Sequence, residues 1–255
     1  MQSVGGGKLL FQMRMHGRFG YGTMLAMQPV TGPLLPRYVR WGLLVGVAVA
    51  LSLVLTGQVL VPTASIWSTL AAMVTLLAYG VAAAIFPLRL YRSQPDVLRV
   101  STVFGLLAGG VFCAEMILEY AFTPARNRSW GLVEFGAVFL LYFAAGLVCV
   151  FRTRNFKAAV ATSVASAFIA SLVWVITLLV VLYAFRGSAR QELVLRTEGE
   201  YEDFVRSGMS DFSAFLMEDL MGATVFHLSL GLVVAAVLGA IGGLVGKVVL
   251  RLRKR

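Results

Sequence analysis

Three carboxylates lie inside apolar stretches of the sequence, where an ionisable side chain is costly. Glu115 and Glu119 stand four residues apart in one stretch, and Glu134 follows in the next, beyond the short polar turn 123–129. The spacing of four puts the first two on one face of a helix. Because a carboxylate in hydrocarbon normally faces a bundle interior or water and has a partner, the cluster indicates either a proton- or cation-binding site or an ion-paired hairpin.

The turn between these stretches carries Arg126 and Arg128. Arginine can reach about one helical turn into a membrane from its surface, so both can pair with the glutamates and fix the hairpin. We favour this structural interpretation. Glu115, the deepest carboxylate, fits it least and is therefore the first residue to test for a transport function.

His227 opens the last apolar stretch and can be combined with Glu115 and Glu134 into a carboxylate-rich metal site. A single histidine near a membrane surface is more often a packing residue, so it is a weak candidate ligand. The patterns HExxH, GxSxG and GxxxxGK[ST] are absent from the sequence. We therefore predict a protein without a cofactor, and metal-assisted enzyme chemistry ranks third among the functions considered.

Small residues recur at every fourth position of the same stretch, at Gly231, Ala235, Gly239 and Gly243. This small-xxx-small pattern lets helix backbones approach closely in a membrane. It predicts either tight packing within the chain or a seam to a second copy or another membrane protein.

Composition places these residues in a bilayer. Of the 255 residues 59% are hydrophobic and 13% charged, whereas a soluble domain carries about 25% charged residues. Six apolar segments are close to or longer than the roughly 20 residues that cross hydrocarbon. They span residues 41–60, 66–86, 100–122, 130–151, 158–185 and 223–250. The prediction is an all-α, polytopic transmembrane bundle of six crossings over residues 37–255, with no cleaved signal peptide.

Charge sets the predicted orientation. Of the 22 Lys and Arg residues, 16 fall on the side that holds both termini, and the more cationic side faces the cytoplasm. We expect a protein of the plasma (inner) membrane with both termini cytoplasmic. Nucleic acid is not an expected partner, because no basic patch with interleaved aromatic residues occurs. Anionic inner-leaflet lipid is expected at the final cations, Arg251, Arg253, Lys254 and Arg255.

Two segments differ from the rest. Residues 1–36 form either a flexible tail or an extension upstream of a true start at Met24 or Met27. Residues 186–222 form an extracytoplasmic loop with eight acids and four arginines. A capping box at residues 197–200 predicts one short helix ending at Ser207, and Ser210 or Asp211 caps a second over residues 212–221. A loop that caps the bundle is favoured over a ligand lid.

The sequence thus predicts a non-enzymatic membrane subunit or scaffold whose partners pack on the sixth apolar helix or on the acidic loop. The alternative is a small transporter or channel that uses Glu115, Glu119 and Glu134 for protons or cations.

Overall fold

The computed structural model describes residues 34–122 and 128–253, and for residues 128–130 it describes the backbone only. These residues form eight helices and no strand. The helices are α1 (Leu35–Leu60), α2 (Ile66–Ser93), α3 (Pro95–Phe122), α4 (Arg128–Thr153), α5 (Phe156–Ala184), α6 (Ala189–Glu198), α7 (Glu200–Ser207) and α8 (Phe212–Leu252). Six of them, α1 to α5 and α8, are long and apolar enough to cross a membrane. The predicted all-α bundle of six crossings is confirmed.

The six long helices alternate in direction, which gives the bundle two distinct ends. The end with α6 and α7 is called the cap end. There the Thr63 hydroxyl donates to Asp211 over 2.7 Å, and the Ser65 backbone N–H donates to Glu218 over 2.9 Å. The opposite end, where α1 begins and α8 ends, is called the basic end.

Helix α5 lies at the centre of the bundle. Of its most apolar 18 residues 61% are buried, against 28 to 44% in the other five membrane helices. It packs against α1, α3, α4 and α8. Its buried residues include many small ones: Ala158, Ala159, Thr162, Ser163, Ala165, Ser166, Ala167, Ala170 and Ser171. Small side chains allow four neighbouring helices to approach one axis closely.

The small residues of α8 face two of these helices. A Cβ atom placed on Gly239 would lie 2.5 Å from the Ser163 hydroxyl of α5, and one on Gly243 would lie 2.9 Å from Ala159. The offset Gly242 instead faces α4, where an added Cβ would overlap the carbonyl oxygen of Phe143. The glycine-rich faces of α8 are therefore filled by helices of the same chain.

Hydroxyl groups link the helices through backbone carbonyls. The Ser163 hydroxyl donates to Tyr142 over 2.7 Å and joins α5 to α4. The Tyr79 hydroxyl donates to Leu228 over 2.6 Å and joins α2 to α8. Such interhelical bonds stabilise membrane bundles by about 0.6–2 kcal/mol each, and they fix the rotation of each helix about its axis.

Several helix ends differ from the predicted ones: α1 begins at Leu35 rather than at residue 41, and α3 at Pro95 rather than at residue 100. Helix α2 does not stop at Phe86 but continues through the buried Pro87 to Ser93, as membrane helices can when neighbouring groups satisfy the freed backbone. Helix α8 is one helix of 41 residues, where two separate helices were predicted. The helix continues through Gly222. A Cβ atom added to this glycine would meet no atom within 4 Å.

The acidic loop also folds differently from the prediction. Residues 189–198 form α6, which was not predicted, and α7 begins only at Glu200, after Gly199 in the left-handed conformation at φ +89°. The Thr197 hydroxyl does not cap α7; it donates to the Leu193 carbonyl within α6 over 2.8 Å. The predicted capping box at residues 197–200 was wrong.

We predict that Gly242→Ala destabilises the bundle by about 1–3 kcal/mol, because the new methyl group overpacks the α4–α8 contact. The measurement is thermal unfolding of the purified chain in nanodiscs. Gly222→Ala is the matched control on the same helix: its Cβ meets no atom within 4 Å, and alanine favours helix by up to about 1 kcal/mol. Equal unfolding temperatures for the two variants would contradict the close approach.

Candidate functional site

The glutamate hairpin is formed by the cap-end halves of α3 and α4. Glu134 is buried, with 9% of its surface exposed, whereas Glu115 and Glu119 are partly exposed. Each of the three carboxylates has an interaction partner. Arg126 and the side chain of Arg128 lie outside the described residues, so their pairing with the glutamates stays a prediction.

An apolar layer lies beneath these carboxylates, toward the basic end. Ala108 and Phe112 share a helix face with Glu115, and Val138 and Tyr142 share one with Glu134. All four are buried in a single cluster, together with residues of α5 and α8. The carboxylates are therefore next to the cap end and are separated from the basic end by closely packed side chains.

His227 of α8 is held by aromatic rings. Its imidazole stacks on Trp174 of α5, with ring centroids 3.9 Å apart and an interplanar angle of 8°, and it meets Phe112 of α3 edge-on at 5.2 Å. Within residues 34–122 and 128–253, no three His, Cys, Asp or Glu side chains are grouped so that they could hold a metal ion. The position of His227 is that of a packing residue between three helices.

Helices α6 and α7 form the cap, and α6 attaches it to the bundle. The Arg190 guanidinium donates to the Ala121 carbonyl of α3 over 3.0 Å, and the Gln191 amide donates to the Leu182 carbonyl of α5 over 3.3 Å. Val194 completes the attachment by packing into a buried cluster with Tyr120 and Val181. Sequence reasoning missed this helix although Ser188 and Gln191 have capping-box spacing. The structure shows the Ser188 hydroxyl accepting from the Gln191 N–H over 3.1 Å.

Helix α7 rests on the start of α8 through aromatic rings. Tyr201 stacks on Phe212 with centroids 4.5 Å apart, and Phe204 meets the same ring edge-on at 5.2 Å. None of the α7 residues is buried. Its acidic outer surface is therefore presented to the surroundings, as the predicted bundle-capping loop would do.

A cavity of about 310 Å³ lies between the cap and the bundle. This volume is near the lower limit of small-molecule pockets. The Arg186 guanidinium at its wall already donates to the Leu60 carbonyl over 3.1 Å, and the Gln191 side-chain oxygen accepts from the Gly187 N–H over 2.8 Å. These polar groups of the wall are thus engaged within the protein, and Arg186 joins the end of α5 to α1.

Two acids of the cap end have opposite electrostatic environments. Partial burial and repulsion from Asp219, Glu198 and Asp203 raise the pKa of Glu200 to about 7. Asp211 behaves differently, because the Thr63 hydroxyl and the backbone N–H groups of the first α8 turn hold its pKa below the usual range. Asp211 is a helix cap, whereas Glu200 is an acid close to other acids.

The chain matches no protein-family model, no curated protein and no solved structure. Its class, a multi-pass helical membrane protein, follows from its six apolar helices.

We predict that α7 becomes less stable as the pH rises from 5 to 8. The proton on Glu200 is bound more tightly in the folded cap, so its stabilising contribution is complete below pH 4.5 and is lost as the pH passes about 7. Hydrogen exchange of residues 200–207, corrected for the intrinsic effect of pH, measures this change. Glu200→Gln should abolish the pH dependence, whereas the exposed Glu202→Gln should keep it; a dependence unaffected by Glu200→Gln would refute the assignment.

Proposed function

We propose that this chain is a non-enzymatic subunit or scaffold of the plasma membrane, with both termini cytoplasmic, that binds a basic segment of a partner protein through its acidic cap. Sequence reasoning offered two partner surfaces, the glycine-lined helix and the acidic loop. Since Gly239 and Gly243 contact α5 within the chain, the acidic loop is the better supported of the two.

The observation that carries the proposal is the environment of Glu200, which is partly buried and lies among other acids. Its half-buried carboxyl lies near Asp219, Glu198 and Asp203, and its pKa is raised to about 7. A cation placed there would favour the charged carboxylate and relieve the repulsion. The environment of Glu200 is thus suited to a positively charged ligand.

The arginines of the cap are already engaged. Arg196 pairs with Glu192 over 2.7 Å and Arg206 pairs with Asp203 over 2.8 Å. Arg186 donates to a carbonyl of α1, and Arg190 donates to one of α3. All four arginines of residues 186–222 thus have other partners, and we propose that another molecule supplies the cation that compensates Glu200.

The apolar part of the same surface supports a protein partner. Val205 on α7 is 77% exposed, and Leu193 on α6 is 47% exposed. A basic peptide with apolar side chains would contact both kinds of group. The two short helices therefore offer charge for attraction and apolar area for contact.

A synthetic Lys-rich amphipathic peptide, titrated onto the full chain in neutral nanodiscs, tests the proposal. We expect binding that weakens with salt and strengthens from pH 5 to 8, as Glu200 ionises. Combined Glu200→Gln and Asp203→Asn should weaken it by several-fold, whereas Asp96→Asn at the basic end, also an acid-to-amide change, should not. Equal binding by all variants would reject the cap as the partner site.

Transport through the glutamate hairpin is a second candidate, favoured by the burial of Glu134 in the cap-end half of α4. In this function Glu115, Glu119 and Glu134 would take protons or cations from the cap side.

If that candidate is correct, Glu115→Gln should abolish pH-driven cation uptake into proteoliposomes while expression and thermal stability stay unchanged. Asp96→Asn is the control and should transport normally. Uptake that persists in Glu115→Gln would exclude a transport role for this carboxylate, and a collapse of folding in Glu119→Gln would show structural pairing.

A further inference from the structure

A small pocket opens at the basic end of the bundle, between the α4–α5 turn and the last turns of α8. Its volume is about 190 Å³, and its lining residues are Arg154, Lys247, Leu250 and Arg251. Three of these four side chains carry a positive charge. They come from parts of the chain about 90 residues apart in sequence. The pocket is therefore formed by the fold and not by the cluster of cations at residues 251–255 alone.

No acidic side chain of the protein is positioned to neutralise this pocket. All 12 acids except Asp96 lie in the cap-end halves of α3 and α4, in the cap, or in the first turns of α8. Asp96 stands at the start of α3 and is 3.9 Å from Arg99. The three pocket cations therefore have no acidic side chain to compensate them.

The backbone at Arg154 indicates that its side chain matters. Arg154 has φ +55°, the left-handed conformation, and its N–H closes α4 on the Val150 carbonyl over 2.8 Å. Glycine or asparagine fits this C-terminal position with less strain. An arginine in this conformation carries a conformational cost, and its backbone role does not explain why an arginine stands here. The charged pocket explains it, because the guanidinium contributes one of the three positive charges.

Lys247 is oriented by an aromatic ring. Its ammonium lies 5.5 Å from the centroid of Phe156, the first residue of α5. This cation–π contact leaves the charge uncompensated while limiting its motion. The ammonium is thereby held beside Arg154 and Arg251.

We propose that this pocket binds the phosphate of an anionic phospholipid. Leu244 and Val248, on the adjoining surface of α8 toward the middle of the bundle, are 56% and 55% exposed and would lie along the acyl chains. Basic pockets between membrane helices are suited to anionic headgroups. The site is independent of the proposed partner surface at the cap end, and it extends the terminal charge cluster to Arg154 and Lys247.

Native mass spectrometry of the full chain in neutral detergent, titrated with phosphatidylglycerol, tests this site. Arg154→Gln and Lys247→Gln should each weaken the tightest lipid-binding event by roughly fivefold, since each cation contributes about 1 kcal/mol. Arg154→Lys keeps the charge and should keep the affinity. Arg92→Gln, which removes an exposed cation at the same end, is the matched control and should leave the tightest event unchanged.

The assignment fails if the Arg92→Gln control weakens binding as much as the pocket variants, because the attraction would then be general surface charge. It also fails if inorganic phosphate alone binds the pocket as tightly as the lipid does, since the pocket would then be a site for free phosphate. Should Arg154→Gln not fold, Arg251→Gln provides the same test, and unchanged affinity in that variant overturns the proposal.

Discussion

The close approach of helices to α5 is the constraint on which the bundle depends. Lipid chains are as apolar as leucine, so helices in a bilayer gain little by hiding apolar side chains from solvent and must gain from contact and hydrogen bonding instead. Gly105 of α3 and Gly239 of α8 both meet α5 where an added Cβ would lie less than 3 Å from its atoms. The small residues of α5 and of its neighbours therefore make this close packing, and with it the fold, possible.

The central packing has consequences at both ends because α8 is continuous. At about 1.5 Å per residue, its 41 residues extend about 60 Å, twice the roughly 30 Å of hydrocarbon. Its first turns hold Glu218, which anchors the α1–α2 turn, and its last turns hold Lys247 and Arg251. One helix thus positions groups of the cap and of the basic pocket, while its middle section is held by α4 and α5.

The six crossings could be predicted because hydropathy alone defines them, but the centre of the bundle could not. The acidic residues within the apolar stretches are the glutamates of α3 and α4, whereas α5 is buried on most sides and shows no polar face to indicate its neighbours. The continuity of α8 was not predicted either, since residues 212–221 were expected to form a helix of their own. In the structure Glu218 accepts a hydrogen bond from Ser65, 153 positions earlier. Local patterns cannot show such a partner.

The uneven distribution of charge between the two ends links orientation to recognition. At the cap end the four arginines of residues 186–222 are engaged by Glu192, Asp203 and backbone carbonyls, while Glu200 lies among acids. Among the described residues, Asp96 is the one acidic side chain at the basic end, and it lies beside Arg99. The charge distribution that favours cytoplasmic termini thus also leaves negative charge to be compensated at the cap end and positive charge at the basic end. The proposed cationic protein segment and anionic lipid headgroup would satisfy these two requirements separately, without competing for one surface.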